Sequence, residues 1–243
     1  ELGLIIAPPK RGKSTMLVQM SVNAMYEDKR TFYFSLELSK HMVARRFDTC
    51  LTGMDMDAIK KKKNVAHKRL LELSDLGALN ILEFPTKTLT ITQMKAVVEY
   101  NGGCDIIFID YADLLKAGRK RDDRRFELTD MYEGLRRLAG ELQIPIWTAS
   151  QSNRLSVGSR LLGIDAIAED FNKVAIADIS VSLNQTRDEI VANRLRLCTV
   201  ANRLGESNGI VDCSVNWKTS QIKEIKEDLD GNRNGSNGSG PAH

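Results

Sequence analysis

The sequence lacks any apolar run close to the ~20 residues that a membrane-spanning helix needs, so it predicts neither a transmembrane segment nor a membrane partner. Its first residues, Glu1, Leu2 and Gly3, carry no basic start and no cleavage motif, which argues against a signal peptide here. A large charge excess is also missing, because 35 basic residues offset 32 acidic ones and leave a net charge of +3. That balance excludes a polycationic chain and an acidic disordered chain but leaves room for local basic patches.

Cysteine is scarce and unpatterned. The four cysteines lie far apart in the sequence, with no CxxC pair and no histidine placed to complete a zinc site. In a domain of this size such isolated cysteines usually behave as small buried hydrophobes, which fits a reducing cytosol. The residues interpreted in this way are Cys50, Cys104, Cys198 and Cys213.

The 243 residues, 42% of them apolar, are predicted to form one large α/β domain. Short apolar runs alternate with helical stretches, which is the pattern of βαβ units around a parallel sheet. The candidate strands are residues 4–6, 31–35, 80–83, 106–109, 144–149 and 176–183, and the candidate helices are residues 14–26 and 129–142. Apolar residues recur at three- and four-residue steps in the second helix, so that stripe is interpreted as core.

The two ends of the chain differ from its middle. The sequence starts directly on a strand-like apolar run, which predicts that further sequence precedes it. Residues 195–200 and 210–217 flank a turn-prone stretch and predict a β-hairpin with a long tip at 204–209. The last residues are rich in Gly, Ser and Asn, so we predict one domain over residues 1–226 and a flexible tail over 227–243.

The sharpest local motif follows the first candidate strand and opens the first candidate helix. Ala-Pro-Pro-Lys-Arg-Gly-Lys-Ser-Thr resembles a P-loop, whose general pattern is GxxxxGK[ST]. In that reading Gly12 lets the backbone approach the phosphates, Lys13 reaches the β- and γ-phosphates, and the Ser14 hydroxyl holds Mg²⁺. Ala7 replaces the first glycine of the pattern, which is tolerable if its φ is negative. The predicted nucleotide-binding residues are Ala7, Pro8, Pro9, Lys10, Arg11, Gly12, Lys13, Ser14 and Thr15.

Three further apolar strands end in polar side chains. Asp110 closes the strand at 106–109, as the metal-binding acid of a Walker B element does. Glu37 follows the strand at 31–35, where it either positions the attacking water or merely caps the strand. Gln151 follows the strand at 144–149 and is placed to sense the γ-phosphate. Because α/β sheets bind ligands at the carboxyl ends of their strands, we expect these side chains to surround the P-loop.

In this order and spacing, the motifs resemble the RecA-like ATPase domain of DnaB-like hexameric replicative helicases (superfamily 4), phage members included. The resemblance is carried by the P-loop, by Phe-Ser-Leu-Glu-Leu at 34–38, by Ile-Asp-Tyr-Ala-Asp-Leu-Leu at 109–115, by residues 145–154 and by Asn-Arg-Leu-Gly at 202–205. It implies the α/β fold of a RecA-like P-loop NTPase, with a mainly parallel twisted sheet flanked by helices and a C-terminal β-hairpin.

The resemblance also implies roles for the matching residues. The implied catalytic residues are Glu37, Gln151, Arg203 and Lys13, and the implied metal ligands are Ser14 and Asp110. Arg203 matches an arginine finger that reaches the nucleotide of the neighbouring subunit. Ala201 stands where the family commonly has a lysine, so one of two such cations is missing.

The implied cofactors are ATP and Mg²⁺, and the implied function is ATP-driven translocation on single-stranded DNA coupled to duplex unwinding. The implied assembly is a homo-hexamer built through head-to-tail interfaces, in the cytoplasm of a bacterium or of a phage-infected cell. In the family a linker helix and an N-terminal helical domain serve ring packing and primase contact, and neither is in this sequence.

Two basic segments raise the question of DNA contact. By the resemblance, the loops after the Walker B strand and after the Gln151 strand face the channel, so the predicted DNA-binding residues are Arg119, Lys120, Arg121 and Arg160. A solvated basic face is the alternative, which the neighbouring acidic pair at 122–123 supports. The lysine run at 60–63 is interpreted as a solvated face. No aromatic residues interleave either segment, so backbone tracking is indicated and base stacking is not.

Two alternatives remain open on the sequence alone. A recombinase-type ATPase that forms a filament on DNA shares this fold, although it does not require the stretch at 150–154 or a finger in the hairpin. A nucleotide-dependent switch or scaffold with little turnover binds ATP through the same loop. The intact Glu37, Asp110 and Gln151 argue against the switch.

Overall fold

The computed structural model describes residues 1–119, 121–152, 171–206 and 209–226. Nine strands occur in these residues: β1 (Leu2–Ala7), β2 (Thr31–Ser35), β3 (Leu79–Glu83), β4 (Ile106–Asp110), β5 (Ile146–Gln151), β6 (Ile179–Asn184), β7 (Arg194–Asn202), β8 (Ile210–Asn216) and β9 (Gln221–Glu224). They form one sheet in the order β3-β2-β4-β5-β1-β6-β7-β8-β9. The first six strands are parallel and the last three are added in antiparallel fashion, which confirms the predicted mainly parallel sheet.

Helices cover both faces of the parallel strands. They are α1 (Lys13–Tyr26), α2 (Lys40–Thr52), α3 (Met56–Lys61), α4 (Lys63–Leu71), α5 (Ile91–Tyr100), α6 (Arg124–Leu142), α7 (Phe171–Ile176) and α8 (Arg187–Val191) within the described ranges. In β1, Leu4 and Ile6 join the core under α5, α6 and α7, whereas Ile5 and Ala7 join the core under α1 and α2. Buried on both faces, such strands lack the polar alternation of a half-exposed sheet.

The structure corrects the start of the sixth strand, which the sequence predicts at residue 176. Ile176 is the last residue of α7, and β6 begins at Ile179. Ala177 still donates a helical hydrogen bond to the Lys173 carbonyl at 3.0 Å, while Asp178 already donates to the Leu2 carbonyl at 2.8 Å. Apolar residues lie on both sides of this change from helix to strand. The sequence does not reveal the boundary, because a short apolar run does not distinguish helix from strand.

The C-terminal strands confirm the predicted hairpin and extend it. β7 pairs with β8 in antiparallel register, with Leu195 opposite Cys213. The sequence prediction missed β9, which pairs with β8 and places Ile222 opposite Val215. With four residues, β9 is too short to display a clear alternation. Residues 207–208 of the hairpin tip and the predicted tail at 227–243 lie outside the described residues.

Smaller boundary errors have local causes. Helix α6 begins at Arg124 rather than at 129, because the Asp123 carboxylate caps it by accepting a hydrogen bond from the Arg125 N–H at 2.8 Å. β5 runs from Ile146 to Gln151, two residues further along than the predicted strand at 144–149. Among the described residues, no helix is long and apolar enough to cross a bilayer.

Candidate nucleotide-binding site

Four predicted site segments meet at one edge of the sheet. β1, β2, β4 and β5 all end there, and their parallel register places Ala7 opposite Gln151 and Ser35 opposite Asp110. The P-loop therefore leaves β1 beside the strand that ends in Gln151, and Glu37 follows the strand that neighbours Asp110. This convergence confirms the expectation that the strand ends meet around the P-loop.

The P-loop has the backbone geometry that phosphate binding requires. Gly12 is the N-cap of α1 with φ of 86°, a left-handed conformation that suits glycine. Ala7 has no positive φ, so its substitution for glycine is tolerated, as the sequence analysis expects. In the described part of the chain no side chain caps α1, which leaves the N–H groups of its first turn available to an anion.

Lys13 is the first residue of α1, and its side chain lies within the P-loop. Its side chain is buried, and Nζ donates hydrogen bonds to the carbonyls of Pro8 at 3.1 Å and Ala7 at 3.3 Å. These carbonyls end β1 and begin the loop, so the ammonium group lies within the curve of the P-loop. That is the position from which a P-loop lysine reaches phosphate oxygens.

Asp110 is buried at the end of β4 with one carboxylate oxygen unsatisfied. Its Oδ2 accepts a hydrogen bond from the Tyr33 hydroxyl at 3.1 Å, and its carboxylate also interacts with the Ser14 hydroxyl. Among the described residues, Oδ1 has no hydrogen-bond partner. Burial raises the pKa of Asp110, while the hydrogen bonds from Ser14 and Tyr33 and the charge of Arg46 act in the opposite direction. The Asp110 carboxylate is therefore not a solvated surface group.

A cavity of about 440 Å³ lies in front of these residues. Its lining combines most of the P-loop with side chains from β5, α2, the segment after β2 and the turn after β8: Pro9, Lys10, Arg11, Gly12, Lys13, Ser14, Thr15, Glu37, Leu38, Arg46, Gln151 and Trp217. Of the predicted nucleotide-binding residues, Ala7 and Pro8 lie behind this lining and accept the Lys13 hydrogen bonds instead.

Glu37 and Gln151 both present their side chains to this cavity. Glu37 is exposed, so its carboxylate is accessible to water. The Gln151 side chain is exposed as well, and Nε2 donates a hydrogen bond to the Tyr111 hydroxyl at 3.3 Å. The carboxylate and the amide thus border the same space as Lys13 and Ser14.

Arg203 does not line this cavity. It follows β7, where its N–H donates to the Asp178 carbonyl at 2.8 Å and its guanidinium Nη2 donates to the Ala175 carbonyl. Asp178 also bonds to Leu2, the first residue of β1. Arg203 therefore lies near the start of the parallel strands, at the edge opposite to the P-loop.

The predicted DNA-binding residues are only partly described. Arg119 is exposed, whereas Arg121 forms an ion pair with Asp130, with Nε 2.9 Å from Oδ2. Lys120 and Arg160 lie outside the described residues, as do residues 153–154. The lysine run at 60–63 joins α3 to α4 and is exposed throughout.

Comparisons with known proteins decide the family. Residues 1–160, about two thirds of the chain, match the family described as the DnaB-like helicase C terminal domain. This chain belongs to that family. A replicative DNA helicase DnaB of Haemophilus influenzae is 28% identical over 164 residues, which cover 63% of this chain and 35% of that protein. A DnaB-like replicative helicase of Enterobacteria phage T4 is 23% identical over 222 residues, covering 85% of this chain and 46% of the relative.

Solved structures show the same fold. A DnaB-like replicative helicase studied with primase superimposes with a TM-score of 0.80 at 19% identity, covering 93% of this chain and 57% of the other. An ATPase domain superimposes with a TM-score of 0.79 at 20% identity, covering 93% and 84%. This DnaB-like chain spans between about a third and a half of the length of the two relatives above.

Two residues that line the cavity of this DnaB-like domain are not predicted from the sequence. Arg46 comes from the middle of α2, between the buried Val43 and Phe47, where nothing in the helical pattern marks it as functional. Trp217 follows β8 and packs its indole against Gly12, so that a Cβ added at Gly12 would lie 3.0 Å from the ring. Its signal in the sequence is a large aromatic residue at the end of the predicted strand at 210–217.

Proposed function

We propose that this domain hydrolyses ATP as the motor of a DnaB-like replicative helicase. The observation that carries the proposal is the buried Asp110 carboxylate, which has an unpaired Oδ1 and the Ser14 hydroxyl beside it. A buried charged oxygen without a partner is costly, and a divalent cation satisfies it. Asp110 and Ser14 would hold Mg²⁺ here, and the ion would supply positive charge that offsets the charge developing during phosphoryl transfer.

The other residues around the cavity have separate roles in nucleotide binding and hydrolysis. Lys13 and the first N–H groups of α1 hold the β- and γ-phosphates, and Trp217 offers its indole face to the nucleobase. Glu37 orients the water that attacks the γ-phosphorus and accepts its proton as the bond to the β–γ bridging oxygen breaks. Gln151 hydrogen-bonds the γ-phosphate and changes partner when that group leaves. Arg46 adds a cation on the same side of the cavity.

The assembled protein is proposed to be a homo-hexamer with head-to-tail contacts. Arg203 supports this assembly, because it lies at the opposite edge of the sheet from its own nucleotide cavity and is free to serve that of a neighbour. A contact between two different surfaces closes into a ring when its rotation permits. We further propose that the ring moves on single-stranded DNA, acts in the cytoplasm of a bacterium or of a phage-infected cell, and meets primase through sequence beyond this chain.

Glu37→Gln in the full-length protein tests the function. With Mg²⁺, ATP and single-stranded DNA, this variant should bind nucleotide nearly as tightly as the parent but turn over about 10²–10⁴-fold more slowly, because an amide accepts no proton. Lys13→Ala should instead lose nucleotide affinity. Glu72→Gln, an exposed change away from the cavity, is the matched control and should leave both quantities unchanged. Wild-type turnover by Glu37→Gln would refute the assignment, and absence of turnover in the parent would refute the function.

A further inference from the structure

A second cavity, of about 500 Å³, surrounds Arg203 on the edge of the sheet opposite to the P-loop. Helix α6 supplies Glu133, Arg136 and Arg137 to its wall, and the end of α7 supplies Ala175 and Ile176. Three arginines and one glutamate therefore line the same small space. Such an excess of arginine is suited to a multiply charged anion, because each planar group offers several N–H donors to phosphate oxygens.

The three arginines differ in how they are held. Arg136 Nη2 lies 2.7 Å from Asp178 Oδ1, and the other oxygen of Asp178 accepts the Leu2 N–H at 2.8 Å. The charge of Arg136 is thus compensated within its own chain. Within the described residues, the Arg203 side chain bonds to the neutral carbonyl of Ala175. Arg137 makes no ion pair within 4 Å in this part of the chain, although its charge acts on the Glu141 carboxylate one turn further along α6. Arg137 and Arg203 are therefore the two arginines whose charges an incoming anion would meet.

Position 201 contributes no cation to this cavity. Ala201 lies in β7 opposite Ser180 of β6, and it packs against the apolar core under α5, α6 and α7. β7 therefore adds no cation to the cavity lining beside Arg203, and a second charge must come from another element. Helix α6 is the element that brings arginines to the same cavity.

We propose that Arg137 is a second cation that contacts the nucleotide bound by the neighbouring subunit, beside Arg203. The inference rests on the proposed function, because the ligand is the γ-phosphate of the nucleoside triphosphate held by the neighbour's P-loop. During transfer, charge is spread over three γ-oxygens, more than one guanidinium can neutralise. Arg203 and Arg137 approach these oxygens from one cavity, while Arg136 remains paired with Asp178 and keeps the start of β6 in place.

Oligomers mixed from two variant chains distinguish a role of Arg137 at the neighbouring subunit's site from any role within its own chain. Arg137→Ala should lower ATP turnover about 10²-fold, the usual effect of removing one donor aimed at transition-state charge, and Arg137→Lys should recover part of the rate. Arg137→Ala mixed with Lys13→Ala should regain activity, because some interfaces then pair an intact Lys13 with an intact Arg137. This recovery also shows that the Arg137→Ala chain is folded and assembled.

The decisive mixture is Arg137→Ala with Arg203→Ala. If both residues act on the neighbour's nucleotide from the same surface, every interface lacks one of them and no ratio restores turnover. If Arg137 served its own chain's site, some interfaces would be complete and activity would return, which would overturn the inference. Wild-type turnover by Arg137→Ala would also overturn it.

Two further results distinguish this inference from the proposed function. Lys13→Ala mixed with Arg203→Ala should regain activity whether or not Arg137 takes part. Failure of that mixture, although mixed oligomers form, would refute the trans site itself. Arg45→Ala, an exposed change on α2, should behave as the parent in every mixture.

Discussion

Tyr33 donates a hydrogen bond to the carboxylate of Asp110 at 3.1 Å, between the adjacent parallel strands β2 and β4. Both side chains are buried. Burial, followed by the charge of Asp110 and this hydrogen bond, holds the pKa of Tyr33 well above its usual value. The phenol therefore remains a donor and fixes one oxygen of Asp110, while the other oxygen has no hydrogen-bond partner among the described residues.

The first prediction is that Asp110→Asn separates stability from activity. Burial raises the folded-state pKa of Asp110 above its ordinary value of 3.8, so the folded chain binds this proton more tightly than the unfolded chain. Asp110 therefore opposes folding increasingly as the pH rises from the unfolded-state pKa through the folded-state pKa, and this cost is absent below both.

At pH 8 without nucleotide, Asp110→Asn should match or exceed the parent in free energy of unfolding, by about 1 kcal/mol, while Mg²⁺-dependent turnover is lost. The difference in stability should shrink in acid, which urea unfolding at several pH values will measure. Asp75→Asn, an exposed carboxylate, is the control and should show no pH-dependent gain. A variant that is less stable than the parent at pH 8 and equally stable in acid would contradict this account of Asp110.

The second prediction concerns neighbouring arginines on α2. Arg46 lines the cavity and its charge acts to lower the pKa of Asp110 against the effect of burial, whereas Arg45 is exposed and is not part of this lining. A lost charge-assisted hydrogen bond costs about 1.5–3 kcal/mol, so Arg46→Ala should weaken ATP binding roughly tenfold to a hundredfold. Arg45→Ala should leave the dissociation constant unchanged. Equal affinities for the two variants, measured by titration calorimetry, would remove Arg46 from the site.

The sequence predicted the site residues that stand next to strand ends. Asp110, Glu37 and Gln151 each follow an apolar run, and the rule that parallel strands bind ligands at one edge brings them together. Arg46 and Trp217 follow no such rule. They reach the cavity through the packing of α2 and of the turn after β8, which is tertiary information that no local pattern contains.

The missed fold features have the same origin. Apolar residues occur both at the end of α7 and at the start of β6, so hydrophobicity alone does not place the boundary at Ile176. Strand β9 forms because it pairs with the edge of β8. Its four residues are too few to show the alternation of apolar and polar residues by which a strand is recognised in the sequence. In both cases a long-range partner, not a local preference, determines the structure.

The third prediction concerns a buried ion pair near Gln151. Lys173 Nζ lies 2.8 Å from Asp113 Oδ2 and donates to the Ser150 hydroxyl at 2.7 Å, while the Tyr132 hydroxyl donates to Asp113 Oδ1 at 2.8 Å. The Lys173 and Asp113 side chains are 7% and 14% exposed, so neither charge can rely on water. This pair joins α7 to the segment after β4 and, through Ser150, to β5.

Lys173→Met should lower the free energy of unfolding by about 3–5 kcal/mol, because it leaves the Asp113 carboxylate buried without its cation. Lys173→Met combined with Asp113→Leu should recover much of that loss, since removing both charges removes the uncompensated one. Denaturant unfolding of the two variants will measure both effects. A double variant no more stable than the single one would show that packing around Lys173, and not the stranded charge, sets the cost.

The fourth prediction is that basic residues after β4 and after β5 bind single-stranded DNA by its phosphates, and that they do so unequally. Arg119 is exposed, whereas Arg121 is already engaged by Asp130 at 2.9 Å. Each phosphate contact adds roughly 0.7 to the slope of log affinity against log salt concentration for single strands. Arg119→Ser should therefore flatten that slope by about 0.7, and Lys120→Ser and Arg160→Ser are expected to do the same.

Arg121→Ser should flatten the slope by less than Arg119→Ser, because DNA must compete with Asp130 for its guanidinium group. Lys61→Ser, in the exposed run at 60–63, is the matched control and should leave both affinity and slope unchanged. Affinity should fall about equally for homopolymers of different base, because phosphate contacts carry no sequence information. An unchanged slope for Arg119→Ser would assign this loop to a solvated surface, and a loss confined to one homopolymer would indicate base contacts instead.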